Sequence, residues 1–158
     1  SLEIQLPFLQ RVVPALAVVP VLVGADEGLV AIAAGLRDLD DGRTLFIVSS
    51  DFTHYGASFE YLPFPATGAE AVSERLRELD FGAIELVCRL DAEGFRSYVF
   101  RTGATICGRA AIGAFLYTRP TGLAGTVASY YTSLDVTGDY EHSVSYATVL
   151  FLPADAPA

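Results

Sequence analysis

A strand, helix, strand pattern near the amino-terminal end constrains this chain more than any other feature. Residues 16–23, L-A-V-V-P-V-L-V, form a nearly unbroken β-branched run, the pattern of a strand buried on both faces. Residues 28–39 carry apolar side chains at helical spacing and end in the turn D-D-G. Residues 44–49, T-L-F-I-V-S, repeat the buried-strand signal. At that separation the three segments predict a βαβ unit with parallel strands and a right-handed crossover. Pro20 removes a ladder hydrogen bond, which places the first strand at an edge or a bulge.

The rest of the chain extends this frame. Residues 2–11 predict a short helix bent by Pro7. Residues 56–67 are rich in aromatics and prolines and read as an irregular loop that can serve as a lid. Residues 68–101 carry charges at helical spacing and predict two or three helices, and residues 110–117 predict another. Residues 127–135 and 143–152 alternate as strands, and the turn V-T-G-D between them predicts an antiparallel hairpin. The expected fold is one α/β domain over residues 1–152, a central mixed sheet flanked by helices. Residues 153–158, P-A-D-A-P-A, are expected to be a disordered tail.

Composition narrows the function. The 158 residues are 52% hydrophobic and 18% charged, enough for a sizeable core. Ten basic against nineteen acidic residues give a net charge of −9, which opposes nucleic-acid backbones and anionic membranes. The longest apolar stretch, residues 12–24, is interrupted by Pro14 and Pro20 and is too short for a membrane span. With two cysteines and no secretory pattern, a reducing cytoplasm is expected. The chain opens on Ser1 and enters at once on L-E-I-Q-L-P-F-L, which predicts the carboxyl-terminal part of a longer protein.

The chemistry concentrates in S-S-D-F-T-H-Y-G, residues 49–56. It places Asp51 and His54 where an apolar segment ends and a loop begins, the position at which open α/β sheets collect their binding groups. A carboxylate and an imidazole at this spacing can share a proton, a metal or a substrate hydroxyl. The competing reading is an Asp that caps a turn and a His that packs beside Phe52 and Tyr55. Cys88, in I-E-L-V-C-R-L, reads as a small core hydrophobe. Cys107, in T-I-C-G-R-A-A-I-G, sits at the mouth of a predicted helix, where the local field favours a thiolate. Glu3, Arg109 and His142 are further candidates. Asp51, His54 and Cys107 together can make a thiol nucleophile with its base or part of a redox-metal site, and spacing alone does not choose between them.

The blocks S-L-E-I-Q-L-P-F, V-P-V-L-V-G, S-S-D-F-T-H-Y-G, T-I-C-G-R-x-x-I-G and S-V-S-Y-A, in that order, resemble the Memo proteins, known in bacteria and archaea as AmmeMemoRadiSam system protein B. The resemblance covers the chain to about Leu152. It implies a three-layer fold like that of class III extradiol dioxygenases, incomplete here at its amino terminus, with a metal pocket at one end. It makes Cys107 a metal ligand and Asp51 and His54 pocket residues, His54 as the acid/base. It also puts two ligating histidines in an amino-terminal half that precedes Ser1, so the site in this chain is incomplete and that half is an expected partner. His142, in E-H-S-V-S-Y, reads as an exposed loop residue rather than a substitute ligand. Glu3 reads as an anchor of the domain start, and Arg109 as the partner of a nearby carboxylate.

The resulting expectation is a metal-pocket protein, with redox activity as one option and iron, copper or zinc as the candidate metals. Cysteine in place of the dioxygenases' carboxylate argues against ring cleavage, because a soft thiolate favours copper, zinc or a redox-tuned iron. One alternative is a non-catalytic module that holds a peptide or partner protein on the same scaffold. A weaker one is a metal-independent cysteine hydrolase using Cys107 and His54. The ligand is expected to be a small molecule or a peptide.

Overall fold

The computed structural model describes residues 2–13, 15–24, 26–118 and 120–153. A short 3-10 turn, Leu2–Gln5, leads into helix α1, Leu6–Val12. Pro7 sits in the first turn of α1, where its missing N–H has no carbonyl to meet, so the helix starts at the proline rather than bending there. Helix α2, Leu29–Asp38, packs Leu29 and Ala33 inward against helix α5, Arg109–Tyr117.

The long helix α3, Ala69–Cys88, buries Val72, Leu76, Asp80, Ala83, Ile84 and Val87. These positions recur every three or four residues and make one face, while Arg75, Glu78, Glu85 and Arg89 pair on the solvent side. Helix α4, Ala92–Thr102, starts where the Asp91 carboxylate accepts from Gly94 N–H at 2.8 Å. Cys88 is half-buried against the core, and burial, with the charge of Glu85, pushes its thiol up.

Among the described residues the sheet has three strands, β1 (His54–Gly56), β2 (Leu123–Thr132) and β3 (His142–Pro153), in the order β1-β3-β2. Both pairings are antiparallel, with His54 opposite Val144 and Tyr131 opposite Tyr146. Val127, Tyr130, Ala147, Val149 and Phe151 turn toward the helices and join the main core around Phe95, Ile84 and Leu116. Each large apolar side chain fully buried there stabilises the fold by about 1.5–3 kcal/mol. A second cluster, Tyr55, Val72, Leu76 and Leu134, closes the β1 end. On the opposite face of the sheet Tyr131, Leu150 and Leu152 are each about half exposed, at 48%, 48% and 50%.

The α/β class and the helices over 28–39, 68–101 and 110–117 hold, but the amino-terminal βαβ unit does not form. Residues 16–23 and 44–49 enter no ladder, and their side chains are open to solvent: Val19 is 80% exposed, Leu22 93% and Leu45 76%. An apolar run signals burial but does not supply a neighbour, and a parallel strand exists only where another strand satisfies its N–H and C=O groups. Without that unit the sheet is antiparallel rather than mixed. The carboxyl-terminal hairpin is also joined differently. In place of a tight turn stands helix α6, Ser133–Thr137, because Thr132 and Asp135 form a reciprocal capping box that starts a helix instead. Residues 154–158, most of the expected tail, lie outside the described residues. No helix among the described residues is long and apolar enough to cross a membrane.

The loop after β1 folds back on itself. Gly56 N–H donates to Tyr61 O at 2.9 Å, and Gly56 itself has φ +128°, with no room for a side chain: an added Cβ would stand 2.5 Å from Glu141 O. Gly56→Ala is expected to lower stability by about 1–3 kcal/mol, measured by urea unfolding. Gly24→Ala, where nothing lies within 4 Å, serves as a near-neutral control.

Candidate functional site

Two segments build the site. The first, residues 49–54, runs into β1 and is held by β3: Phe52 N–H donates to Ser145 O, and Ser145 N–H donates to Thr53 O, both at 2.9 Å. Thr53 and Tyr55 are buried, so alternation turns the His54 side chain to the other face. The second is the turn after α4, where Ala104 and Ile106 anchor in the core and Cys107 stands exposed at the tip.

Hydrogen bonds between backbone groups and short side chains tie the two segments together. Thr105 Oγ1 accepts from His54 N–H at 2.9 Å and donates to His54 O at 2.7 Å. Gly108 N–H donates to Ser50 Oγ at 2.9 Å. A Cβ on residue 108 would lie 2.5 Å from Ser50 Cβ and 3.0 Å from Ser49 O, so glycine is required by the close approach itself.

This contact brings Asp51, His54 and Cys107 together, 53 or more residues apart in sequence for Cys107. One potential ligand atom from each lies within 4.8 Å of the others. His54 Nδ1 is 3.0 Å from Phe52 O and 2.9 Å from Thr105 O. Both are carbonyls and can only accept, so we assign the ring proton to Nδ1. The lone pair is then on Nε2, which stands 4.0 Å from Asp51 Oδ2. The Cys107 sulfur accepts from Asp51 N–H at 3.2 Å.

The donor set suits a borderline or soft metal. Two ligands on one tetrahedral zinc stand roughly 3–4 Å apart, given bonds of about 2.0–2.3 Å, so small side-chain rotations would bring the sulfur, imidazole nitrogen and carboxylate oxygen onto one ion. Three donors leave at least one position for a water, a substrate or a ligand from elsewhere.

The remaining candidates fall outside this group. Arg109 pairs with Asp26 at 3.1 Å, as expected for a residue that neutralises a nearby carboxylate. His142 is exposed and shares a hydrogen bond with Ser58 Oγ at 2.7 Å, with the Phe59 ring between it and His54: Phe59 lies 4.6 Å from the His142 ring and 5.0 Å, edge-on, from the His54 ring. Glu3 is exposed on the first turn.

Sequence reasoning passed over four contributors: Thr105, Ser50, Phe59 and Tyr146. Thr105 lies inside the T-I-C-G-R block, two residues before Cys107, and that block was the available signal. Tyr146 shares the His54 face, because it lies two residues from Val144, the partner of His54, on β3. It stacks on Tyr131 with ring centroids 5.0 Å apart. Burial and then the charge of Asp51 push its phenol up.

Comparison with known proteins gives the family of the chain. The model of the Memo-like protein family matches residues 1–150. A MEMO1 family protein of Thermococcus onnurineus is 32% identical over 163 residues, covering 96% of this chain and 55% of that relative. A MEMO1 family protein of Methanosarcina mazei is 32% identical over 158 residues, 95% of this chain and 54% of the relative. The memo-1 homolog of Caenorhabditis elegans is 33% identical over 114 residues, 69% of this chain and 33% of the relative. The chain belongs to the Memo-like family, and it spans about half the length of the curated archaeal relatives it matches.

Thr105→Val removes both hydroxyl bonds to the His54 backbone and keeps the Thr105 carbonyl. The variant is expected to lose about 1–2 kcal/mol in chemical denaturation, while the imidazole 15N spectrum still shows the His54 proton on Nδ1.

Proposed function

We propose that this chain supplies part of a metal pocket in which Cys107 is a ligand and His54, beside Asp51, is the acid/base. The observation that carries the reading is the meeting of the three groups within one ion's reach. A bound iron, copper or zinc would polarise a substrate oxygen, and iron or copper would also carry electrons. The protein residues have separate tasks. The Phe52 and Thr105 carbonyls keep a proton on His54 Nδ1, which leaves Nε2 free to take a proton from a ligand bound beside Cys107. The Asp51 carboxylate, 4.0 Å from Nε2, stabilises the imidazolium formed by that transfer. The Phe59 ring, edge-on to the imidazole at 5.0 Å, walls one side of the space. Thiolate ligation favours metal-dependent redox chemistry over ring cleavage, and a reducing compartment such as the cytoplasm suits an exposed free thiol.

Calorimetric titration tests the metal assignment. With the His54 Nε2 lone pair kept for the proton, this chain offers a metal only Cys107 and Asp51, so it is expected to bind zinc or copper(II) weakly, and Cys107→Ser is expected to abolish that binding. Tight stoichiometric binding that survives Cys107→Ser contradicts the role given to Cys107.

A second reading, a surface that holds a peptide or a further length of protein, is favoured by one feature. The apolar side chains of residues 16–23 and 44–49 and the outer sheet face at Tyr131, Leu150 and Leu152 are open to solvent, more exposed apolar surface than a stable monomer normally carries. We propose that extended backbone from the rest of the protein pairs with those two segments. Residues 1–158 alone are then expected to self-associate in sedimentation velocity and to melt broadly, and co-expression with the amino-terminal half of a full-length relative is expected to yield a monodisperse species. A sharp-melting monomer of residues 1–158 contradicts the proposal.

A further inference from the structure

Helix α3 buries one residue that its apolar face does not call for. Asp80 is 1% exposed and is the one carboxylate among the buried side chains of the described residues. It stands in a row otherwise made of Val72, Leu76, Ala83, Ile84 and Val87. A carboxylate there costs far more desolvation than a leucine, and none of the ion pairs among the described residues includes it. Burial pushes it up from the usual carboxylate range, against the opposing pull of nearby hydroxyls and the Thr53 amide. What Asp80 receives is two donors: Thr53 N–H at 3.1 Å on Oδ1 and the Tyr130 hydroxyl at 2.8 Å on Oδ2. The Thr53 and Ser145 hydroxyls are buried in the same region without a full hydrogen bond of their own.

The identity of the captured amide is decisive. Thr53 N–H and Phe52 C=O are the two ends of one peptide unit, and in a planar trans peptide they point in opposite directions. The N–H end meets Asp80, and the C=O end accepts from His54 Nδ1 at 3.0 Å. A chain therefore runs from the core to the site: carboxylate, peptide N–H, peptide C=O, imidazole Nδ1–H, free Nε2. An anion at the N–H end fixes the tilt of the peptide plane and polarises its carbonyl, which strengthens the bond made at the other end. This is the orienting task that a carboxylate performs directly for many working histidines, carried out here through one peptide bond.

We infer that Asp80 is a positioning residue for the His54 imidazole, acting through the Phe52–Thr53 peptide unit. The inference rests on His54 being the working imidazole of the proposed pocket, but its test needs neither metal nor substrate.

The readout is the His54 Nδ1–H proton in 15N-histidine-labelled protein, with His142 as the internal reference. In Asp80→Leu the peptide is free to tilt, and exchange of the His54 Nδ1–H with water is expected to quicken roughly three- to tenfold, the worth of about one net hydrogen bond. Tyr130→Phe removes the other donor to the same carboxylate and disturbs the same core, yet leaves the peptide held, so its Nδ1–H exchange is expected to stay at the wild-type rate. A folded Asp80→Leu with wild-type exchange, or a Tyr130→Phe that exchanges equally fast, overturns the inference. Should Asp80→Leu not fold, Asp80→Asn decides. Its side-chain oxygen still accepts from Thr53 N–H but without the charge, so the Nδ1–H resonance is expected to move upfield while the proton stays on Nδ1; an unmoved resonance overturns the inference. Loss of zinc binding in Cys107→Ser with an unchanged His54 signal separates failure of this inference from failure of the metal reading.

Discussion

Everything chemical in this chain depends on one close approach, the turn at residues 104–108 laid against residues 49–54. The Thr105 hydroxyl bonds the His54 backbone there and Gly108 N–H bonds the Ser50 hydroxyl, and no side chain fits at position 108. The approach is stiff because each segment is anchored behind its reactive tip. Phe52 and Thr53 are buried under β3, and Ala104 and Ile106 are buried in the core. Short polar side chains at the contact bridge the two backbones without holding them apart. As a result an exposed thiol and a half-buried imidazole share a space that neither segment creates alone.

The structure is uneven in how it treats polar and apolar groups. Toward the helices the buried Asp80 carboxylate has two good donors while the Thr53 and Ser145 hydroxyls near it go unpaired, and the amide that Asp80 holds serves the site. Toward the open face the apolar residues 16–23 and 44–49 and the outer side of β2 and β3 meet solvent. The difference reflects which neighbours are within reach. Helices α3, α4 and α5 find each other and the hairpin through local and short-loop contacts, whereas strand-like segments without a pairing edge have nothing to fold onto.

How much of this was legible in the residues depended on the range of the interaction. Charges at helical spacing in residues 68–101 marked two or three helices, of which the structure forms two, because a helix satisfies its own backbone and announces its buried face every three or four positions. The D-F-T-H and T-I-C-G-R blocks marked Asp51, His54 and Cys107, because these residue types are costly to place and informative when present. The same local logic misread residues 16–23 and 44–49, since burial in a parallel strand is a promise made by other strands. It also misread the hairpin connection, where the capping pair Thr132 and Asp135 outweighed the turn signal of V-T-G-D.

The sequence by itself determined the helical layer, the α/β class and the identities of the reactive groups, because each follows from spacing within about one helix or one loop. Only the tertiary structure decided that Cys107 meets His54, that Thr105 and Phe52 assign the imidazole proton to Nδ1, and that Asp80 grips the far end of the same peptide. The contacts of Cys107, Thr105 and Asp80 join residues 27 or more positions apart, and no local preference encodes which distant carbonyl or carboxylate a given N–H will find once the chain has closed.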